Sequence, residues 1–258
     1  MSSPKEKAES FRALHVPGQP LVLFNIWDPG SAKAVAAGGA RAIATGSWSV
    51  ANANGYADGE RMPLDLAIDN LLRIVLAVDL PVSVDVESGY GRTPDAVGQT
   101  IDRTIKAGAI GCNLEDSFPE DGRLREIVDQ VKRIEHARKS ADAGNVAYFI
   151  NARTDVFFQA IPPAHDDATL ADALERARAY ADAGANGLFV PGLTDETLIA
   201  RLAAASPLPL NIMVVKETPS LSKLAQLGVA RVSHGPSPYL TMMKALEEAA
   251  RDNARAAG

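Results

Sequence analysis

Four short junctions constrain the fold of this chain more than any other feature: Ala37-Gly38-Gly39-Ala40, Ala107-Gly108-Ala109, Ala183-Gly184-Ala185 and Leu227-Gly228-Val229-Ala230. Each follows an Ala-rich amphipathic stretch and opens an apolar run, so Gly stands where a left-handed residue ends a helix and the chain enters a strand. Apolar runs rich in Val, Ile and Leu fall at residues 21–27, 42–48, 81–87, 110–116, 146–151, 187–190, 208–214 and 230–234. Near-continuous hydrophobicity of this kind belongs to parallel strands covered by helices. The clearest helical stretches are 93–107, 123–140, 168–183 and 240–256. Eight βα units closing on themselves predict an α/β fold, a (β/α)8 TIM barrel, as one domain over residues 1–258. Residues 1–20 are expected to carry a leading helix. A doubly wound sheet is the alternative, but no Gly-x-Gly-x-x-Gly follows the first strand.

Composition narrows the partners. Of 258 residues, 47% are hydrophobic, enough for a sizeable core, and the net charge of -6 is spread along the chain rather than gathered in blocks. Nucleic acid and anionic membranes are therefore not expected partners. Cys112 is the single cysteine, which excludes an intramolecular disulfide framework and a cysteine zinc site. Residues 1–15 contain no hydrophobic segment, so neither a signal peptide nor a membrane span is expected, and a cytoplasmic location is the default.

In a barrel the chemistry lies at the C-terminal ends of the strands. Those ends carry Asn25 and Asp28, Thr45 to Ser49, Asp85 and Glu87, Asn113, Glu115 and Asp116, Asn151, Arg153 and Asp155, Pro191-Gly192, Asn211, and His234-Gly235. Asp85 and Glu87 are two apart on a strand, which puts them on one face, where they repel unless a cation lies between them. A hard divalent ion such as Mg²⁺ answers that repulsion; helix capping or surface pairing is the competing reading.

The chain resembles the isocitrate lyase and phosphoenolpyruvate mutase superfamily, in its short single-barrel branch. The likeness runs through 24–28 (Phe24-Asn25-Ile26-Trp27-Asp28), Gly55-Tyr56-Ala57-Asp58-Gly59-Glu60, 85–91 (Asp85-Val86-Glu87-Ser88-Gly89-Tyr90-Gly91), Asn113-Leu114-Glu115-Asp116-Ser117, Asn151-Ala152-Arg153-Thr154-Asp155, Phe189-Val190-Pro191-Gly192 and Arg231-Val232-Ser233-His234-Gly235. The resemblance implies Mg²⁺, or Mn²⁺ in its place, bound by Asp85, with Glu87, Glu115 and Asp58 holding it largely through water. It implies that Gly46, Ser47 and Trp48 bind a substrate carboxylate or phosphoryl group, and that Arg153 neutralises the oxo acid. Asn211 and His234 are further candidates for substrate binding. Arg153, Asp58 and His234 are the expected catalytic groups, His234 because imidazole exchanges protons near neutral pH. For Arg153, a salt bridge to Asp155 or Glu115 is the competing role.

One departure bears on chemistry. Isocitrate and methylisocitrate lyases carry a Lys-Lys/Arg-Cys-Gly-His loop after the fourth strand, whereas here 117–124 reads Ser-Phe-Pro-Glu-Asp-Gly-Arg-Leu. Phosphonate-processing members use Lys and Asn there, and neither occurs between Ser117 and Arg125. The expected function is a Mg²⁺-dependent C–C lyase or decarboxylase acting on a small α-oxo or α-hydroxy dicarboxylate. Phosphoenolpyruvate mutase or phosphonopyruvate hydrolase activity is the alternative, and a non-catalytic barrel binding an oxo acid is a further one. The resemblance also implies a homotetramer, with the C-terminal helix, 240–258, exchanged between subunits.

Overall fold

The computed structural model describes residues 3–160 and 164–256. In chain order the elements are α1 (Pro4–Ala13), β1 (Leu21–Leu23), α2 (Pro29–Ala37), β2 (Ile43–Ala44), α3 (Ser47–Ala53), α4 (Leu64–Ala77), β3 (Val82–Asp85) and α5 (Pro94–Lys106). They continue as β4 (Gly111–Glu115), α6 (Ile127–Ala143), β5 (Phe149–Arg153), α7 (Val156–Gln159), α8 (Asp167–Asp182) and β6 (Gly187–Val190). The chain ends in α9 (Glu196–Ala205), β7 (Leu210–Met213), α10 (Leu221–Gln226), β8 (Arg231–Ser233) and α11 (Ser237–Ala256). Gly39, Gly108, Gly184 and Gly228 at the repeated junctions all have φ between 86° and 98°, the helix-ending conformation expected of them.

All the strand pairs are parallel, in the order β1-β8-β7-β6-β5-β4-β3-β2. The remaining seam, between β1 and β2, is joined just beyond the strands by an Ile26–Thr45 bridge. There the Ile26 N–H donates to the Ala44 carbonyl at 2.9 Å and the Gly46 N–H to the Ile26 carbonyl at 3.1 Å. Buried Asn25 secures the same seam: its amide donates to the Thr45 carbonyl at 2.9 Å, and its Oδ1 accepts the N–H groups of His234 and Gly235 at 2.9 and 3.0 Å. One side chain thus ties the end of β1 to the ends of both β2 and β8, and the TIM barrel closes.

Two apolar layers result. Outward-facing strand residues, including Val84, Cys112, Ile150 and Leu188, pack against the helices. Burial pushes the Cys112 thiol up to about 12, so it behaves as a small apolar group. Inward-facing residues at the starts of the strands, Leu21, Ala42, Ile110 and Phe149, meet Ala8 and Phe11 of α1, which stops that end of the barrel. His15 follows α1 with its ring stacked on Phe149 at 4.0 Å and Nδ1 2.8 Å from the Phe11 carbonyl.

The segment 46–48 departs from expectation. Rather than ending a strand, Gly46 is extended and Ser47 begins α3. The strand period therefore stops at Thr45. Likewise β3 ends at Asp85, and Glu87 has a left-handed φ of 52°, so pleat alternation does not set its direction. Among the described residues no helix is long and apolar enough to cross a membrane.

Burial, then the Arg231 charge, lowers the His15 pKa to about 3. Its unfolded counterpart takes up a proton below about pH 6.5, which the folded ring refuses, so stability falls as pH drops through this window. Urea unfolding of wild type should therefore lose about 2 kcal/mol more between pH 7.5 and pH 5 than unfolding of a His15→Phe variant. Equal losses would refute the assignment.

Candidate active site

The C-terminal rim collects acids because successive strands end on them. Asp85 closes β3 and is fixed on three sides. Its backbone N–H donates to Thr45 Oγ1 at 2.9 Å, its Oδ2 accepts the Ser47 hydroxyl at 3.0 Å and the Ser47 N–H at 3.3 Å, and its Oδ1 accepts the Glu87 N–H at 3.2 Å. The start of α3 thus serves to orient Asp85. Of the donors expected to meet substrate, the Gly46 N–H is spent on barrel closure and both Ser47 donors on this carboxylate.

Glu87 is buried and held by the loop after α3: its Oε2 accepts the N–H groups of Gly59 and Glu60 at 2.8 and 2.6 Å, and its Oε1 the Tyr90 hydroxyl at 3.0 Å. Glu60 reciprocates, its Oε1 accepting from Ser88 Oγ at 2.7 Å and the Tyr90 N–H at 2.8 Å. Glu60, Glu87 and Tyr90 are all left-handed, with φ of 58°, 52° and 52°. Such backbone costs roughly 1–3 kcal/mol per residue and persists where surroundings over-determine it. The Glu60 and Tyr90 contacts were not legible in sequence; a Tyr set between two glycines after an acidic strand end was the available signal.

Arg133 of α6 supplies much of that constraint. Its buried guanidinium donates to the Ser88 carbonyl, to the Gly91 carbonyl at 2.9 Å and to the Arg92 carbonyl at 3.3 Å, gripping the whole loop after β3. Nothing in the sequence around position 133 marks it, because the contact spans more than 40 residues.

Arg153, ending β5, bridges the next acids. It donates Nε and Nη2 to the two oxygens of Asp155 at 2.6 and 3.0 Å, and its Nη1 lies 2.8 Å from Glu115 Oε2. Asp155 is seated by the Ser117 hydroxyl at 2.6 Å and, through its N–H, by Asp116 at 3.0 Å. Asp116 is itself paired with Arg176 and Tyr180 at 3.1 and 2.8 Å. The salt bridges expected as the competing role of Arg153, to Asp155 and Glu115, are both present, and they hold its guanidinium at the rim.

The charge balance is negative. Burial raises the Glu87 pKa to about 7, with Asp58 as the next contributor. Asp58 reaches solvent, yet partial burial of its carboxyl and then the Asp85 charge also raise it. Glu115 is pushed well up by burial, with Arg153 opposing. Among the described residues no three His, Cys, Asp or Glu side chains converge as a ready-made metal cage. Asp58, Asp85 and Glu87 nevertheless offer hard carboxylate oxygens short of positive charge, Glu115 adds further ones beside Arg153, and Asp85, Glu87 and Glu115 are each oriented by N–H, O–H or guanidinium donors. That donor set is of the kind a largely hydrated Mg²⁺ accepts, and Asp85, Glu87, Glu115 and Asp58 are the residues that would hold it.

The other expected residues lie elsewhere. Trp48 packs edge-on against Tyr239 of α11 at 5.9 Å, and Tyr239 in turn meets Trp27 at 5.1 Å. Asn211 is fully buried inside the barrel, its Oδ1 accepting the Ser233 hydroxyl at 3.1 Å. His234 follows inward-facing Ser233 and turns outward, its ring 5.0 Å from half-exposed Phe24 and its Nδ1 3.3 Å from the Leu23 carbonyl. The structure thus gathers Asp58, Asp85, Glu87, Glu115 and Arg153, places Gly46 and Ser47 beneath them, and leaves His234 on the outer face.

A closed parallel barrel whose C-terminal rim holds these acids and a braced arginine has the layout of a TIM-barrel enzyme. Residues 11–254 match the family model described as phosphoenolpyruvate phosphomutase. A solved Burkholderia cenocepacia protein, provisionally described as a phosphonomutase, is 58% identical with a TM-score of 0.96, covering 97% of this chain and 100% of that one. The 2-methylisocitrate lyase of Escherichia coli is 30% identical over 252 residues, 93% of this chain and 81% of its own. An uncharacterized Mycobacterium tuberculosis protein is 36% identical over 242 residues, 94% of this chain and 88% of its own. The chain belongs to the phosphoenolpyruvate mutase family, within the isocitrate lyase superfamily of lyases.

Replacing Arg133 by Gln leaves buried carbonyls short of donors and frees the left-handed turn at Gly89 and Tyr90. Urea unfolding should show a loss of at least about 3 kcal/mol, with Arg133→Lys recovering only part of it. A loss below about 1 kcal/mol would show that the loop holds itself.

Proposed function

We propose that this protein is a Mg²⁺-dependent C–C lyase or decarboxylase acting on a small α-oxo or α-hydroxy dicarboxylate. The observation that carries the reading is Asp85, oriented on three sides at the barrel mouth and flanked by Asp58 and Glu87, which form no ion pair among the described residues. Mg²⁺ would be held by Asp85, with Glu87, Glu115 and Asp58 on its waters, and supplies Lewis acidity at substrate oxygens. Arg153, kept in place by Asp155, presents fixed positive charge to an oxo-acid carboxylate and needs no reorganisation to do so. Asp58, raised in pKa and open to solvent, is placed to hold or pass a proton at the mouth. Decarboxylation suits a site without the cysteine loop, since CO₂ leaves unaided. Curated relatives named oxaloacetate decarboxylase, at 27–31% identity, support this direction.

Phosphonate chemistry is the second reading. The Burkholderia cenocepacia likeness favours it, and the absence of Lys and Asn between Ser117 and Arg125 weighs against it. Pyruvate release from oxaloacetate, 2-methylmalate and 2,3-dimethylmalate, and glyoxylate release from malate, followed with and without Mg²⁺, should show metal-dependent turnover of at least one acid. Asp85→Ala should lower it by about 10³-fold or more, a metal-ligand loss on the order of 4 kcal/mol. Conversion seen instead by ³¹P NMR between phosphoenolpyruvate and phosphonopyruvate would move the assignment to the second reading.

We also propose that α11 is exchanged between subunits of a homotetramer. Of its described residues only Pro238 is buried, and Leu240, Met242 and Leu246 are 50–63% exposed. Beside it, a groove of about 810 Å³ runs along the bare outer face of β1 and α2, lined by Val22, Phe24, Trp27, Ala34 and Val35. A second copy's α11 matches that apolar surface. Light scattering should report a tetramer for the full chain and a smaller species after truncation at Gly235; a monomeric full chain would end this proposal.

A further inference from the structure

Outside the acid cluster the molecule holds a further cavity whose wall carries several charged side chains. It has a volume of about 750 Å³ and lies between segments 60–64, 88–92 and 118–125. Tyr90 and Glu60 form the partition: Tyr90 bonds Glu87 on one side, while Glu60 is turned back onto Ser88 and the Tyr90 N–H. Arg125 lines this cavity and is only 8% exposed. Its ionic state is unusual among the described arginines. Arg133 answers three carbonyls and Arg176 pairs with Asp116 and Asp172, whereas Arg125 has one side-chain hydrogen bond, a 3.5 Å approach of Nη2 to Ser88 Oγ, and a buried Nε without a partner. The guanidinium lies over the Phe118 ring at 4.0 Å, which helps fix its position, and Arg125 is one of the residues lining the cavity.

Buried charges are ordinarily paired, because an unpaired one forfeits its hydration. No acid of the wall closes an ion pair with Arg125, although Glu60 and Glu120 favour its charge from a distance. Asp121 is taken by Arg123 at 2.7 Å, Glu120 lies 3.9 Å from Arg92, and Glu60 is committed to Ser88 and Tyr90. Arg61 and Arg92 stand at the rim and add positive potential. Arg231 is also buried with unpartnered nitrogens, but it bonds Asn113 inside the packed barrel rather than lining an open cavity.

We propose that this cavity is a second anion-binding site, separate from Asp85, which takes a carboxylate or phosphate group on the guanidinium of Arg125. A planar two-pronged donor is suited to such a group, and Arg92 and Arg61 add charge from the surrounding wall. Because Phe118 N–H bonds the Arg123 carbonyl at 2.8 Å, the segment between them is a closed turn, and an anion on Arg125 fastens that turn to the loop after β3. The anion comes either from the distal end of a substrate whose oxo-acid end lies at Asp85, or from a free ion in solution.

Calorimetric titration of the full chain with inorganic phosphate and with succinate tests the site. Millimolar or tighter binding of at least one is expected, retained in Asp85→Ala, weakened about two- to threefold in Arg92→Ala and about severalfold in Arg125→Lys, and weakened at least about tenfold in Arg125→Gln. Absence of binding to wild type, equal binding to Arg125→Gln, or loss of binding in Asp85→Ala would each overturn the proposal. Oxalate binding with Mg²⁺ reports the Asp85 site alone and should be unchanged in Arg125→Gln, which also shows that this variant is folded. The source is then read with 2-oxoglutarate and Mg²⁺: a loss of about tenfold in Arg125→Gln assigns the site to a substrate's distal carboxylate, and no loss assigns it to a free anion. Arg92→Ala, a change at a solvent-exposed side chain, keeps the test valid if Arg125→Gln does not fold.

Discussion

Drawing several carboxylates together at one end of a barrel, partly out of water, is the constraint on which this structure depends. Each acid raises the proton affinity of its neighbours, as Asp58 and Asp85 do for Glu87. The protein tolerates this by giving every acid a different answer. Glu87 receives two backbone N–H groups and a phenol, Glu115 receives Arg153, and Asp85 receives a serine and a neighbouring N–H. Asp58 is left toward solvent. What Asp58, Asp85 and Glu87 share is an excess of negative charge, which the divalent ion of the proposed function would relieve.

The backbone carries the second part of that organisation. Donating two consecutive N–H groups to one carboxylate oxygen bends Gly59 and Glu60 into left-handed geometry, and bringing Tyr90 under Glu87 does the same to the loop after β3. Arg133 keeps the loop at 88–92 from relaxing, while the Asp116, Arg176 and Tyr180 network braces Asp155 and, through it, Arg153. Site geometry is therefore set in part from α6 and α8, helices on the outside of the barrel.

Sequence carried the fold well because its signals are local. A glycine after an Ala-rich helix ends that helix whatever surrounds it, and parallel strands show their burial on both faces as unbroken apolar runs. The acids were legible for the same reason: strand ends could be placed, and Asp85, Glu115 and Arg153 stand on them. Reading failed where direction is decided by distant contacts. Ser47 starts a helix instead of ending a strand, Glu87 leaves the pleat, and His234 turns to Phe24 once Ser233 faces inward. Arg133 and Arg125 carry no local mark, since their meaning comes from loops brought to them by the fold.

One glycine joins the two loops that frame the rim. Gly59 has a φ of 86°, and a Cβ added there would stand 3.0 Å from the Pro119 carbonyl. The acid-bearing loop and the turn after β4 are therefore in backbone contact, with no side chain between them to act as a cushion. That turn is where this chain departs from the lyases and phosphonate-processing proteins it resembles, so a turn transplanted from a relative inherits a fitting problem at position 59 before it meets any substrate. Loop exchange here has a hidden second partner, and the segment around Gly59 has to travel with the turn for the graft to seat.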